Sequence, residues 1–310
     1  MNLAYRYLER EDFSSYEDFC RGLKVKVPEN FNFAYDIIDE YALLEPDRTA
    51  LVWCNDHGEE KIFTFLDLKK WSCKTANYLK SLGIKKGDRV MLILRRRYEF
   101  YFFALALCRI GAIYIPCTYQ LKEKDIVYRA NAAGVKMIVA YPAWDVVWSV
   151  ENSLAESPTV EKIVMVGDRR DGWLCYDEDI HSFSDEFPRP RGDEAPKNDD
   201  LMIIYFTSGT TSMPKMACHD FTYPLGHIVT AKYWQRVQEN KLHLTVAESG
   251  WAKFGWGKFY GQWICGAVQF VYDMDRFVPE NLLEKMQKYR IATFCAPPTV
   301  YRFLIHHDFE

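Results

Sequence analysis

The sequence predicts an α/β fold of layered, parallel-rich sheets flanked by helices. Two observations carry that prediction. Short apolar runs of strand length alternate with segments whose apolar residues recur at helical spacing. Several of the strand-like runs are apolar throughout, the pattern of strands covered on both faces. With 310 residues, 49% of them hydrophobic and 26% charged, the chain can bury a substantial core of one large or two ordinary domains.

Residues 31–44 carry apolar side chains at helical spacing and stop at Glu45-Pro46-Asp47. A strand at 49–54 follows. Residues 65–82 form a second helix, ended by Gly83, and the polar turn Lys85-Lys86-Gly87-Asp88 leads into a strand at 89–94. A helix at 99–109, Gly111 and a strand at 112–115 come next. Strand, helix and strand in that order make a βαβ unit, whose right-handed crossover sets its two strands side by side and parallel. Further strands are read at 136–140, 162–166 and 201–206. Between 167 and 200 the chain turns polar, with Pro188, Pro190 and Pro196, which marks an excursion or a subdomain boundary near 168–199. The remainder reads as a helix from about Tyr223, a strand at 242–247, a helix at 253–265, a strand at 267–272, a helix at 279–289 and a strand at 292–296.

Composition narrows the function. A net charge of −4 gives no electrostatic case for nucleic acid. The run Arg95-Arg96-Arg97 reads as a solvated rim at a strand end, with an anion contact as the second reading. The most apolar stretch, 100–116, is broken by Arg109 and Gly111, so it is helix then strand and no membrane insertion is expected. The nine cysteines show no C-x-x-C pair and sit in apolar runs, as at Cys108 and Cys265, which points to reduced thiols. The start, MNLAYRYLERED, has neither the apolar stretch of a signal peptide nor the acid-poor character of a transit peptide, so a cytoplasmic protein is expected. Aromatics, 16% of the chain, include several outside clean periodic patterns, as expected for the lining of a cavity.

The chemistry concentrates at YFTSGTTSMPK, residues 205–215. Directly after an apolar strand come Thr207, Ser208, Gly209, Thr210, Thr211 and Ser212, then Pro214 and Lys215. Hydroxyls and free backbone N–H groups at a strand end can enclose a polyphosphate, and a nearby lysine offers it positive charge. No pair of glycines brackets the loop and no hydroxyl follows the lysine, so it is not a Walker loop. It resembles the phosphate loop of the adenylate-forming (AMP-binding) superfamily, [ST]-[ST]-G-[ST]-[ST]-G-x-P-K, with Ser212 where that family usually has glycine. The resemblance runs in order from about Phe31 to the end of the chain. LGIKKGDRV at 82–90, RIGAIYIP at 109–116, ESGW at 248–251 and APPT at 296–299 are similar to further segments of the family. The phrases ESGWAKFGWGKFYGQW and FCAPPTVYRFL look closest to medium-chain and branched-chain acyl-CoA synthetases.

That resemblance implies ATP, Mg²⁺ and CoA as cosubstrates and a carboxylic acid as substrate, activated to acyl-AMP and then made into a CoA thioester. It implies phosphate contacts from Thr207, Ser208, Gly209, Thr210, Thr211, Ser212 and Lys215, and a loop-bracing role for His219. It also implies an acyl pocket at Trp251, Phe254, Gly255 and Trp256, sized for a short, medium or branched acid. The main catalytic lysine and the metal ligands of the family match no position here. Residues 1–310 are therefore expected to be a partial N-terminal AMP-binding domain, lacking the C-terminal lid and inactive alone. The other readings are a non-catalytic nucleotide- or acyl-binding module, or an adenylation domain for another substrate class. Amino-acid activation is disfavoured, because Ser249-Gly250-Trp251 stands where that class carries an aspartate anchor.

Overall fold

A computed structural model of the protein describes residues 2–208 and 213–306. Its strands are β1 (Thr49–Asn55), β2 (Glu60–Thr64), β3 (Arg89–Ile93), β4 (Ile113–Pro116), β5 (Met137–Ala140), β6 (Lys162–Met165), β7 (Leu174–Cys175), β8 (Leu201–Thr207), β9 (Lys215–Asp220), β10 (Leu242–Thr245), β11 (Val268–Asp273) and β12 (Thr293–Cys295). They form two sheets, ordered β12-β10-β11-β1-β2 and β7-β6-β5-β3-β4-β8-β9. Parallel pairing dominates both. The two exceptions, β1 with β2 and β8 with β9, are hairpins at one edge of each sheet. The expected βαβ unit is β3, the helix Glu99–Ile110 and β4, and its strands pair in parallel from Arg89↔Ile113 to Leu92↔Pro116.

Side-chain alternation assigns each sheet face to a layer. In β3, Val90 and Leu92 point into a central core, whereas Met91 and Ile93 belong to a second cluster with Ile126, Val146 and Val150. The second cluster is covered by the helices Glu123–Ala133 and Trp144–Ser153. In β1, Leu51 and Trp53 face the central core, and Val52 and Cys54 face a third cluster under the helices Pro279–Lys288 and Pro298–Ile305. The central core thus receives side chains from both sheets, and the helices Phe65–Ser81 and Glu99–Ile110 fill the space between them.

The helix Glu99–Ile110 is buried along its whole length. Its one internal cation, Arg109, is fully buried and donates to both oxygens of Asp39 at 2.9 and 2.6 Å and to Ser72 Oγ at 3.0 Å. A buried guanidinium is tolerable only with such bidentate pairing. Gly111, at φ +81°, ends the helix in the left-handed conformation and turns the chain into β4.

The predicted elements 49–54, 65–82, 89–94, 99–109, 136–140, 162–166 and 201–206 match the observed ones to within a residue or two. The helix at 253–265 is interrupted. Between Ala252–Phe254 and Tyr260–Ile264, the segment Gly255–Phe259 is a widened turn of the π type. The Gly257 carbonyl of that turn accepts from Thr245 Oγ1 at 2.6 Å and from Gln235 Nε2 at 2.8 Å, and His243 Nε2 lies 2.9 Å away. The polar stretch at 168–199 contributes β7 to the sheet and otherwise runs as short helical turns, at Tyr176–Asp179, Ile180–Ser182 and Gly192–Glu194, joined by irregular backbone.

Candidate functional site

The carboxyl ends of β3, β4 and β8 in one sheet and of β10 and β11 in the other converge on one region. Open α/β sheets bind their ligands at such strand ends. The predicted phosphate segment connects β8 to β9, with Thr207 paired to Lys215 across the hairpin. Thr207, Ser208 and Lys215 are exposed. The base of the hairpin is tied down by Tyr128, whose hydroxyl donates to Pro214 O at 2.8 Å, and Arg129 lies 5.2 Å over the Phe206 ring. Gly209, Thr210, Thr211 and Ser212 lie outside the described residues.

His219, on β9, sits opposite Ile203, with its ring 5.9 Å from Tyr205 and 4.1 Å from Tyr223. Burial lowers its pKa below the ordinary histidine value. Packed between those rings, it keeps β9 against the helix Tyr223–Val229, a support for the hairpin.

The predicted acyl residues divide. Trp251 is 57% exposed. Phe254 is buried in the central core, 4.9 Å from Phe100 and 5.4 Å from Tyr101. Trp256 is half-buried, 5.8 Å from the Trp234 ring, with the Lys253 ammonium also 5.8 Å from its own. Gly255 lies directly against Tyr205, and a Cβ added there would overlap the Tyr205 hydroxyl. Tyr205 stands two residues before Thr207 on β8. The structure therefore brings the predicted acyl segment and the strand leading to the predicted phosphate segment into contact through Gly255 and Tyr205.

A second constellation was not legible in the sequence. Glu248 is 5% exposed and accepts from Thr118 Oγ1 at 2.8 Å and from Tyr119 N–H at 3.2 Å. The next glycine, Gly250, packs so tightly on Thr118 that a Cβ would overlap its backbone nitrogen. These contacts join the loop after β10 to the loop after β4, one from each sheet. Burial raises the Glu248 pKa, and Thr118 and the positive charge of Arg96 oppose it.

The solvated-rim reading of 95–97 does not hold. All three arginines are half-buried. Arg97 grips Glu99 at 3.0 and 2.6 Å, Arg95 lies 3.5 Å from Asp273, and Arg95 also donates to Met274 O. Two turn carbonyls are used as well: Arg95 O accepts from Ser249 N–H and Arg96 O from Trp53 Nε1, both at 3.0 Å. Apart from Glu99, two residues from Arg97, the partners lie far away in sequence, so no local signal announced them. Among the described residues, no group of three His, Cys, Asp or Glu side chains could hold a metal ion. No helix among them is long and apolar enough to cross a membrane.

A family model described as AMP-binding enzyme matches residues 38–310. The chain is 36% identical over 293 residues to the mitochondrial acyl-coenzyme A synthetase ACSM4 of Rattus norvegicus, covering 92% of this chain and 49% of that protein. It is 34% identical over 309 residues to the mitochondrial acyl-coenzyme A synthetase ACSM3 of Homo sapiens, covering 96% and 51%. Among solved structures, the acyl-CoA synthetase of Brucella canis aligns with a TM-score of 0.78 at 23% identity, covering 89% of this chain and 49% of the other. The anthranilate CoA ligase AuaEII in complex with anthranoyl-AMP aligns with a TM-score of 0.80 at 20% identity, covering 91% and 54%. At such identities the structural likeness shows the fold. The chain spans about half the length of the curated relatives it matches. Those relatives are mitochondrial, which overturns the expectation of a cytoplasmic protein. Reduced, buried thiols are compatible with either compartment and did not distinguish them.

Proposed function

The chain belongs to the AMP-binding enzyme family, and on that premise we propose that it carries the nucleotide- and acyl-binding half of an AMP-forming acyl-CoA synthetase. The reaction joins a carboxylic acid to ATP as acyl-AMP, releasing pyrophosphate, and then transfers the acyl group to CoA. A mitochondrial setting, the one given in the relatives' names, accompanies this reading. The observation that carries it is the contact of Gly255 with Tyr205, which sets an acyl segment beside a hydroxyl-rich hairpin.

The attacking carboxylate is already ionised, so the first step needs no general base. Rate then comes from positioning and from neutralising charge around phosphorus. The hairpin at 207–215 suits both roles, because its hydroxyls and amides hold the β- and γ-phosphates and Lys215 supplies charge. Mg²⁺ bound with a polyphosphate takes hard oxygen ligands from phosphate, water and one or two protein groups. Thr207 and Ser208 supply oxygens of that type. His219 braces the hairpin from β9.

On the acyl side, Trp251 lines the mouth, Gly255 lets the segment pack closely on Tyr205, and Trp256 backed by Trp234 closes the far end. Such a pocket takes a short, medium or branched acid. Replacing Trp256 with alanine in an enzyme of full family length is expected to shift preference to longer acids, by about 0.8 kcal/mol at most for each methylene accommodated. An unchanged chain-length profile with a loss of stability near 3–5 kcal/mol would make Trp256 a core residue instead.

Calorimetric titration of the 310-residue chain with MgATP and with a sulfamoyl analogue of acyl-AMP tests the reading. Binding of the analogue in competition with ATP, and no turnover by this chain alone, are expected. If neither ligand binds, the proposal fails. If ATP binds and acyl analogues of different lengths are not distinguished, the chain is a nucleotide-binding module.

A further inference from the structure

Trp234 and Trp256, the two indoles at the far end of the acyl segment, each belong to a helical turn widened to the π type. One is Thr230–Trp234 and the other Gly255–Phe259. Widened turns are rare, and where they persist they tend to mark functional sites. These two pack against one another, with the indole rings 5.8 Å apart.

Side chains clasp the two turns together. Gln235, the residue after Trp234, donates from Nε2 to the Gly257 carbonyl at 2.8 Å. Its Oε1 accepts from Gln262 Nε2, which also donates to the Trp256 carbonyl at 3.1 Å. From β10, Thr245 Oγ1 donates to the same Gly257 carbonyl at 2.6 Å. His243 Nε2 stands 2.9 Å from both that carbonyl and Thr245 Oγ1. A carbonyl oxygen can only accept, so the ring proton belongs on Nε2. Thr293 Oγ1, 2.8 Å from Nδ1, then donates on the other side of the ring. Burial pulls the His243 pKa down to about 4, which keeps the ring neutral in that tautomer. His243, Thr245 and Gln262 have no exposed surface.

An α-helical carbonyl is satisfied within its own helix, so helix packing alone does not call for such a convergence on one carbonyl. A buried and mutually hydrogen-bonded network holds the backbone to a single geometry. We propose that the clasp of His243, Thr245 and Gln235 on the Gly257 carbonyl fixes the gap between Trp234 and Trp256 and so sets the length of acid accepted. The inference rests on the acyl pocket proposed above and assigns what holds its end wall. The three are positioning residues, because they act through the widened turns rather than on the acid. Without the Thr245 hydroxyl, the Gly257 carbonyl loses the shortest of these bonds, the turn rewinds towards α-helix, and Trp256 shifts against Trp234.

Calorimetric titration of the 310-residue chain with sulfamoyl analogues of acyl-AMP, from propionyl to octanoyl, decides this, with MgATP as the reference ligand. Thr245→Val keeps nearly the shape of the side chain and removes the hydroxyl, whereas Thr245→Ser keeps the hydroxyl. The unaltered chain should bind one length best and discriminate against longer acids. In Thr245→Val that discrimination is expected to fall at least about fivefold, with the affinity for MgATP unchanged, and Thr245→Ser should restore it. Discrimination that survives Thr245→Val, or is lost equally in Thr245→Ser, overturns the proposal and leaves the acyl pocket standing. A parallel loss of MgATP affinity also overturns it, because the network would then support the whole fold. An unaltered chain that binds no analogue, or shows no length preference, overturns the pocket itself and this inference with it. If Thr245→Val does not fold, Gln235→Leu, at a half-buried position, takes its place and is read by the same loss of discrimination at constant MgATP affinity.

Discussion

Gly255 and Tyr205 set the tightest constraint on the site at the scale of single residues. Gly255→Ala forces a methyl group into the Tyr205 hydroxyl and is expected to cost about 1–3 kcal/mol in urea unfolding. Tyr205→Phe removes the obstructing oxygen and should recover a large part of that loss. A double-mutant cycle with no coupling between the two would show that the contact is not what orders the acyl segment. Lys258 gives a prediction with a sign. Its pKa of about 7 in the fold lies below the ordinary lysine value of 10.5, so its burial costs stability wherever it stays protonated in the fold. That cost is full below pH 7. It is relieved as pH rises from about 7 towards 10.5, where the unfolded chain still holds the proton and the folded one does not. Lys258→Met should therefore stabilise the protein most at pH 6 and much less at pH 9.5. An advantage that grew with pH would contradict the assignment. Lys258 also shows the limit of reading burial from sequence: one lysine in GWGKFYG looks like any other, and the charges of Arg96 and Asp273 and the Phe254 ring reach it only after folding. Thr207, Ser208 and Lys215 could be singled out as candidates from the sequence because their chemistry is packed into one short run behind an apolar strand.

Among elements, those found from sequence are the ones that bury apolar faces. The three strands missed, β2, β7 and β9, are all edge strands, and β2 and β9 are antiparallel. β2 buries only Phe63 and leaves Ile62 exposed, and β9 buries no residue, so backbone pairing holds them and no apolar pattern reports it. The helices Glu123–Ala133 and Trp144–Ser153 also escaped notice, the first with only Ile126 and Ala130 buried. The widened turn Gly255–Phe259 depends on partners at Thr245 and Gln235, which lie outside the helix and beyond its periodicity. The helix Glu99–Ile110 offers the sharpest test at this scale. Asp39→Asn leaves the Arg109 charge buried without its carboxylate, and a loss of about 3–5 kcal/mol is expected by urea unfolding. A change under about 1 kcal/mol would mean that Ser72 and the Tyr35 ring suffice to hold the guanidinium.

Across the whole molecule, the two sheets meet at the site through few contacts, with Glu248 among them. Glu248→Ala leaves the Thr118 hydroxyl and the Tyr119 N–H unpaired. Hydrogen exchange at 117–120 and at 247–251 should then accelerate together, while exchange in β5 and β6 stays unchanged. Acceleration of one loop alone would show that Glu248 does not couple them. The helix wedged between the sheets has a consequence during synthesis. Its covering strand β1 pairs with β11, which ends at Asp273, so one wall of its enclosure is completed only about 160 residues after the helix itself is made. At about 5–20 residues per second, the segment EFYFFALALCRI waits on the order of ten to thirty seconds without its shelter. On the ribosome this stretch is an exposed adhesive surface, and a chaperone that shields apolar nascent chain is expected to hold it until β11 arrives.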